Sequence, residues 1–425
     1  MRIPELWEAL QVVLQESALE WGQRSGWQQR RGRITAAQFV QTLVWGWLAD
    51  PHASLGQLTR MAHTTGALVT AQAISQRFSS RSVALLRGVL RDAFAVAVAA
   101  APLDVALLQR FPGGVYLNDT TQLPLPDDWH ATWDGGGIAA ALKIPVVLDL
   151  MHGTLQAELV PARQHDTKTS LANLTFPPES VVIEDLGYLD LDRMQRRQEH
   201  GVATLVPLRC TLAVADAQGR RIQVHAWLNR HPNEVVERTV LIHGQWLRLV
   251  ALPASAATTA RKQQGIRQSA RKHGRVPNPT ALALAAWIIV LTTVPPEQAT
   301  SHQIGTLMRL RWQIELVFKL WKDQGKLDET RGWNPERIET EWYAKLLGVL
   351  LQHWILVTTS WQQVDRSWTK VGAAIREEAR TLCWVWQDGA RLTAVCERIA
   401  RSVAVTGRVT SHDRQRSTAS LLLAP

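Results

Sequence analysis

The sequence predicts an α/β protein: a core of strands and helices, interrupted by a β-rich insertion and bracketed by helical regions at both ends. Three observations carry that prediction. From Val115 to Pro207 the apolar pattern reads as three strands, a helix, a strand, a helix and a strand. From about Thr211 to Pro295 it becomes strand-like almost throughout. At both ends of the chain apolar residues recur with helical spacing and few β-branched runs.

The bulk numbers set bounds. A chain of 425 residues can bury a large core and hold two or three domains. Its formal net charge is +10 and its pI about 10.0, a balance that favours a polyanionic partner. The three cysteines, Cys210, Cys383 and Cys396, lack metal-site spacing and read as reduced thiols of a cytoplasmic protein. The first residues, MRIPELWEAL, carry no apolar signal segment. The longest purely apolar run, Ala281 to Leu291, is too short for a helix to span a bilayer, so no membrane partner is expected.

Residues 1 to about 100 read as helical, with segments Glu5–Trp21, Thr35–Ala49, Leu55–Ala62 and Ala71–Val98. Asp50-Pro51 and Thr64-Thr65-Gly66 are breaks. Arg24, Arg30, Arg31 and Arg33 form a basic cluster between the first two helices. LGQLTRMA and AQAISQRFSSRSV look like a helix-turn-helix, a pattern that plain helical packing also produces. Gln76, Arg77, Ser79, Ser80 and Arg81 are residue types that contact phosphates and base edges.

FPGG at Phe111 to Gly114 marks a boundary. In VYLNDTTQ, period 2 puts Val115, Leu117 and Asp119 on one face, so Asp119 is an acid in a core-side row near a strand end. Asp127 and Asp128 read as turn or capping residues. KIPVVLDL and TLQAELV, joined by His152-Gly153, are hairpin arms. A helix is expected from about Asp166 to Leu174. VVIEDLG is a strand running into Asp185, LDRMQRRQEHG a helix closed by Gly201, and ATLVPLR a further strand.

In the insertion RIQVHAWL, TVLI, QWLRLVAL and LALAAWIIVLTT are strand-like. Between them ARKQQGIRQSARKHGR carries Arg261, Lys262, Arg267, Arg271, Lys272 and Arg275 without one acid. A solvated helix accounts for some of this. The missing counter-charge favours a phosphate-facing surface.

Leu307 to Lys326 has no Gly or Pro before Gly325 and is expected to run as one helix. At about 100° per residue, Leu307, Leu310, Ile314, Val317, Phe318, Leu320 and Trp321 share a broad apolar face. With Arg311 at zero, Glu315 falls at roughly 40° and Lys322 at roughly 20°. A carboxylate thus stands between two cations on one ridge. An exposed i,i+4 pair, worth about 0.2–0.5 kcal/mol, would produce the same ridge. The R-x3-E-x6-K spacing, with isolated aspartates at two upstream strand ends, points to chemistry instead. Beyond it Ile338–Thr358, Lys370–Trp386 and Arg391–Val403 read as helices, and the Ser/Thr/Arg-rich tail from about Arg408 as loosely ordered.

Arg311, Glu315 and Lys322 match the Y-x2-R-x3-E-x6-K signature of the bacterial DDE transposases of the insertion-sequence-four family, which this chain resembles from about Tyr116 to Leu351. NDT at Asn118 to Thr120 and EDLGY at Glu184 to Tyr188 support the match, and Met308 departs from it at the tyrosine. The resemblance implies a ribonuclease-H-like catalytic core, consistent with the element order. It divides the chain into a helical DNA-binding region (1–100), core (101–210), β-rich insertion (211–295), the Glu-bearing helix of the core (296–335) and a helical C-terminal region (336–425).

By resemblance, Asp119, Asp185 and Glu315 are catalytic and hold two Mg²⁺ or Mn²⁺ ions, hard cations suited to carboxylate oxygens. Arg311 and Lys322 grip phosphates. Trp287 matches by position a tryptophan that receives a flipped base, although a core tryptophan in an apolar strand fits its sequence equally. Arg261, Lys262, Arg271 and Lys272 are the expected DNA contacts of the insertion. The implied partner is double-stranded DNA, at inverted-repeat ends and at a target, bound by a homodimer in the bacterial cytoplasm and nucleoid. A transposase-derived repressor without catalysis, and a nuclease that cuts without joining, remain the alternatives.

Overall fold

The structure, a computed structural model, describes residues 3–30, 32–332, 334–409 and 422. It is a mixed α/β protein with both parallel and antiparallel strand pairs. The chain forms two compact units. One comprises Val105–Asp119 and His165–Trp312; the other comprises Met1–Asp104, Thr120–Gln164 and Gln313–Pro425.

The strand-rich unit is built on a parallel pair. The strand Val115–Pro124 enters it with its first half and pairs with Val181–Glu184, in the register Leu117 to Ile183 and Asn118 to Glu184. Val181–Glu184 pairs in parallel with Ala203–Pro207. Such strands are buried on both faces, and VVI and TLV are accordingly buried without alternation, Thr204 being the one polar residue among them. The connecting helix Leu191–Glu199 starts at Asp190, whose carboxylate accepts the Arg193 N–H, and stops at Gly201, which takes φ +71°.

The β-rich insertion is not a separate sheet. Its last strand, Trp287–Thr292, lies antiparallel beside Ala203–Pro207, and Gln245–Pro253 and Val236–Ile242 continue outward. Their inner faces share one apolar cluster with Met194 and Leu228. The helix Ser301–Leu310 opens with a Thr300–Gln303 capping box and packs on these strands. Gly305 allows the approach: a Cβ there would stand 2.7 Å from Leu252 Cδ2.

In the other unit, Ala36–Ala49 and Pro335–Ser360 are apolar around most of their circumference and pack together as core helices. The Pro335–Ser360 helix is buried without interruption from Thr340 to Ser360. Ala141–Asp149 pairs with Leu155–Ala157 and Val160–Pro161 as the expected hairpin, Gly153 turning it at φ +76°. No helix among the described residues is long and apolar enough to cross a membrane.

Several expected elements differ. The helix expected over Leu307–Lys326 is three pieces: Ser301–Leu310, Trp312–Lys319 and a wider turn at Leu320–Gln324. Its first break falls at Arg311, whose backbone N–H turns to the Arg309 carbonyl while its side chain reaches two carboxylates. Asp166–Leu174 forms two short 3₁₀ turns instead of a helix. RIQVHAWL is a two-residue strand followed by the helix Val224–Leu228. LALAAW begins in the helix Pro279–Leu284, capped by Asn278 and started by Pro279, so the strand opens only at Trp287. The expected Ala71–Val98 helix is Ala71–Ser75 and Ser80–Phe94, because Ser79 caps a new start. The first strand runs on past Asp119 to Pro124. Arg31 and the tail from 410 to 421 lie outside the described residues.

Candidate active site

Register places the site. The parallel pairing of the first two core strands ends at Asn118 opposite Glu184. The next residue on each strand is an aspartate, so Asp119 and Asp185 emerge side by side at the carboxyl end of a parallel pair. Such ends are where open α/β sheets bind ligands. Val115 and Leu117 are fully buried, and the face they share with Asp119 carries that carboxylate to the rim of the core. Asp185 sits at the start of the turn Leu186–Tyr188 and is more open.

One cation spans the two acids. Arg311 Nη1 lies 2.5 Å from Asp119 Oδ2, and its Nε lies 3.9 Å from Asp185 Oδ1. Arg311 follows directly on the Ser301–Leu310 helix. The capping box of that helix, together with Ile304, Leu307 and Leu310, all fully buried, fixes the approach of the arginine. Carboxylate oxygens are hard donors of the kind that divalent cations take. Glu315 and Lys322, both half-buried, belong to the other unit, beyond the crossing of the chain at Trp312. Among the described residues there is no group of three or more His, Cys, Asp or Glu already gathered for a metal.

A groove of about 880 Å³ leads away from Asp185 and Arg311. Met308, Trp287, Lys262 and Arg275 also line it. Lys262 donates to the Trp287 carbonyl at 2.8 Å, which ties the basic helix Ala256–Lys272 to the start of the tryptophan strand. Loss of solvent around that ammonium draws its pKa below the ordinary lysine value. The Trp287 side chain is 7% exposed and belongs to the apolar cluster of the insertion while it borders the groove. Arg261, Arg271 and Lys272 are exposed and do not line it. No residue of the basic helix is buried.

Sequence reasoning missed the layer beneath the acids. Glu184 accepts from Asn118 Nδ2 at 3.1 Å, from Arg193 at 2.8 Å and lies 3.0 Å from Arg197 Nη1. A glutamate in an otherwise apolar strand was the available signal. Arg193 and Arg197, one helical turn apart, look like a solvated face until that glutamate is placed between them. Arg309, which also borders the groove, was passed over beside Arg311.

Residues 111–351 match the sequence model of the family described as the transposase DDE domain. The chain is also similar to curated proteins. It is 27% identical to a transposase for insertion sequence element IS231F of Bacillus thuringiensis subsp. israelensis, over 69% of this chain and 67% of that one. It is 25% identical to the transposase for IS231E of Bacillus thuringiensis subsp. finitimus, over 70% and 68%. It is 23% identical to the transposase for IS1151 of Clostridium perfringens, over 78% and 76%.

Proposed function

This chain belongs to the transposase DDE domain family, and from that premise we propose that it is a DNA transposase which cuts the inverted-repeat ends of an insertion sequence and joins them to target DNA. The ribonuclease-H-like fold of that family accounts for the mixed sheet and its parallel pairs. The observation that carries the reading is the placement of Asp119 and Asp185 side by side where the pairing of the first two core strands stops, sharing the Arg311 guanidinium.

Asp119, Asp185 and Glu315 are the residues proposed to hold two Mg²⁺ or Mn²⁺ ions. When bound, such a pair activates a water on one side of a phosphodiester and stabilises the leaving oxygen on the other. The carboxylates would hold those ions at the head of the groove, where a scissile phosphate can enter. Arg311, in reach of both acids, takes a phosphate oxygen of the bound end, and Lys322 a second. Cleavage leaves a 3′-hydroxyl on the element end. Its oxygen attacks a phosphorus of the opposite strand, and the bond from that phosphorus to the 3′-oxygen of the flanking strand breaks. The hairpin so closed is hydrolysed again to free the 3′-hydroxyl that joins target DNA. Trp287, at the groove wall, is the proposed platform for a base that leaves the stack in that turn, an interaction worth about 1–3 kcal/mol. The acid-free basic helix faces the flanking DNA, and two copies pair the two ends. Incubating the chain with its flanking inverted repeat and Mg²⁺, and resolving products on a denaturing gel, tests this directly. Nicks and hairpins at the repeat boundary support it; intact DNA at full occupancy rejects it.

A further inference from the structure

The two candidate metal-binding acids each follow a buried polar residue, and those two residues are bonded to each other. Asn118 is fully buried and precedes Asp119; Glu184 is 1% exposed and precedes Asp185. They are register partners, joined from Asn118 Nδ2 to Glu184 Oε1 at 3.1 Å. Alternation along each strand turns both side chains to the opposite face from the acids. There the Leu191–Glu199 helix grips Glu184 with two arginines. Arg193 donates to its Oε2 at 2.8 Å and to the Tyr188 carbonyl. Arg197 Nη1 lies 3.0 Å from Oε1, and its other terminal nitrogen donates to the Ala172 carbonyl at 3.2 Å.

This arrangement is costly for a part of the fold that only has to pack. Two arginines, 4% and 7% exposed, face one carboxylate, which leaves a surplus buried positive charge. Burial draws the Arg197 guanidinium below its ordinary pKa, opposed by Glu184 and aided by Arg193. Apolar side chains would join helix to strand at less expense. What the ionic cluster adds is direction. A carboxylate held at both oxygens by a helix, and by the neighbouring strand through Asn118, cannot shift along its strand. One peptide further on, neither can the two aspartates.

We infer that Asn118, Glu184, Arg193 and Arg197 form a positioning cluster that sets the spacing of Asp119 and Asp185, and so the affinity of that pair for a divalent cation. The inference rests on the assignment of those aspartates as metal ligands. Partners of metal ligands typically change affinity by about 10–100-fold when removed.

The test is Mn²⁺ binding to the full chain without DNA, by calorimetry, well below the melting temperature of each variant. Asp119→Asn should lose the site. Glu184→Gln, which keeps shape but not charge, and Asn118→Ala should each bind Mn²⁺ about 10-fold more weakly while circular dichroism stays native. Arg196→Ala, exposed on the same helix, should bind as the parent does. If Asp119→Asn loses Mn²⁺ but Glu184→Gln and Asn118→Ala bind normally, the positioning role is wrong and the metal assignment stands. If Asp119→Asn itself binds normally, the metal assignment fails and takes the inference with it. Loss of native structure in both cluster variants would make the cluster a folding brace and overturn the inference.

Discussion

The two aspartates with the residues around them and the basic helix are both rich in charge, and they are built in opposite ways. Around the aspartates the charges are fewer, they are partly or wholly buried, and each has a named partner at a fixed distance. Along Ala256–Lys272 the charges are many, no residue is buried, and only Lys262 is tied down. Geometry is the product of the first arrangement and electric field of the second. A site that must place oxygens around a cation needs the first; a surface that must hold a polyanion in any register needs only the second.

The difference can be broken open by mutation. The largest effect is expected at the carboxylates. Asp185→Ala or Glu315→Ala should each slow cleavage of repeat DNA by about 10³-fold or more, the several kcal/mol that metal-assisted charge stabilisation provides, with DNA binding retained. Asp127→Ala, in the turn after the first strand, should cut at the parental rate. Near-normal cutting by either of the first two variants removes that residue from the site.

The basic helix should respond in binding and not in rate. Neutralising Arg261, Lys262, Arg271 and Lys272 together should lower the slope of log affinity against log salt by as much as about 3–4, roughly 0.9 for each phosphate that is no longer neutralised. Cleavage at saturating DNA should change only a few-fold. An unchanged slope would place this helix toward solvent.

Arg311 sharpens the contrast because it sits in the first region and is proposed to grip the partner of the second. Without DNA it is a rival cation on Asp119. Arg311→Ala should therefore tighten Mn²⁺ binding to the free protein several-fold while slowing cleavage of DNA. A fall in both would mean that the guanidinium holds the acids in place.

A further expected effect lies in neither region and concerns stability alone. His353 is buried in the Pro335–Ser360 helix, donates to the Gly153 carbonyl at 2.8 Å, and burial pushes its imidazole down to about 4. The unfolded chain takes up a proton near pH 6.5 that the folded one refuses. Stability should hold above that pH and fall as pH drops from about 6.5 to about 4. His353→Gln should flatten that part of a melting curve series; an identical fall in the variant would assign it to other groups.

How much was legible follows the same division. Asp119 was readable because alternation with Val115 and Leu117 fixes its face without any tertiary knowledge. Asp185 was readable because an apolar run ends on it. The ridge of Arg311, Glu315 and Lys322 was readable as spacing, but not the break at Arg311, since no Gly or Pro marks it and its side chain reaches Asp119, 192 residues upstream in the chain. The Val224–Leu228 helix hid in RIQVHAWL, where Ile222, Val224, Ala226 and Leu228 alternate with the other residues as in a strand. The start at Pro279 was written plainly as Asn-Pro but was outweighed by the apolar run after it. The Glu184 cluster was half readable: the glutamate stands out in an apolar strand, but alone Arg193 and Arg197 are an exposed-looking pair of like charges.

The central claim is that Asp119 and Asp185 hold the divalent cation with which this protein cuts DNA. It is tested most directly by the rate of first-strand cleavage of the flanking repeat across a Mg²⁺ titration, at equal DNA occupancy, in the parent chain and in Asp119→Asn. The account predicts a saturable Mg²⁺ dependence in the parent and no cleavage at any Mg²⁺ concentration in the variant. Parental cleavage by Asp119→Asn over the same titration would contradict it.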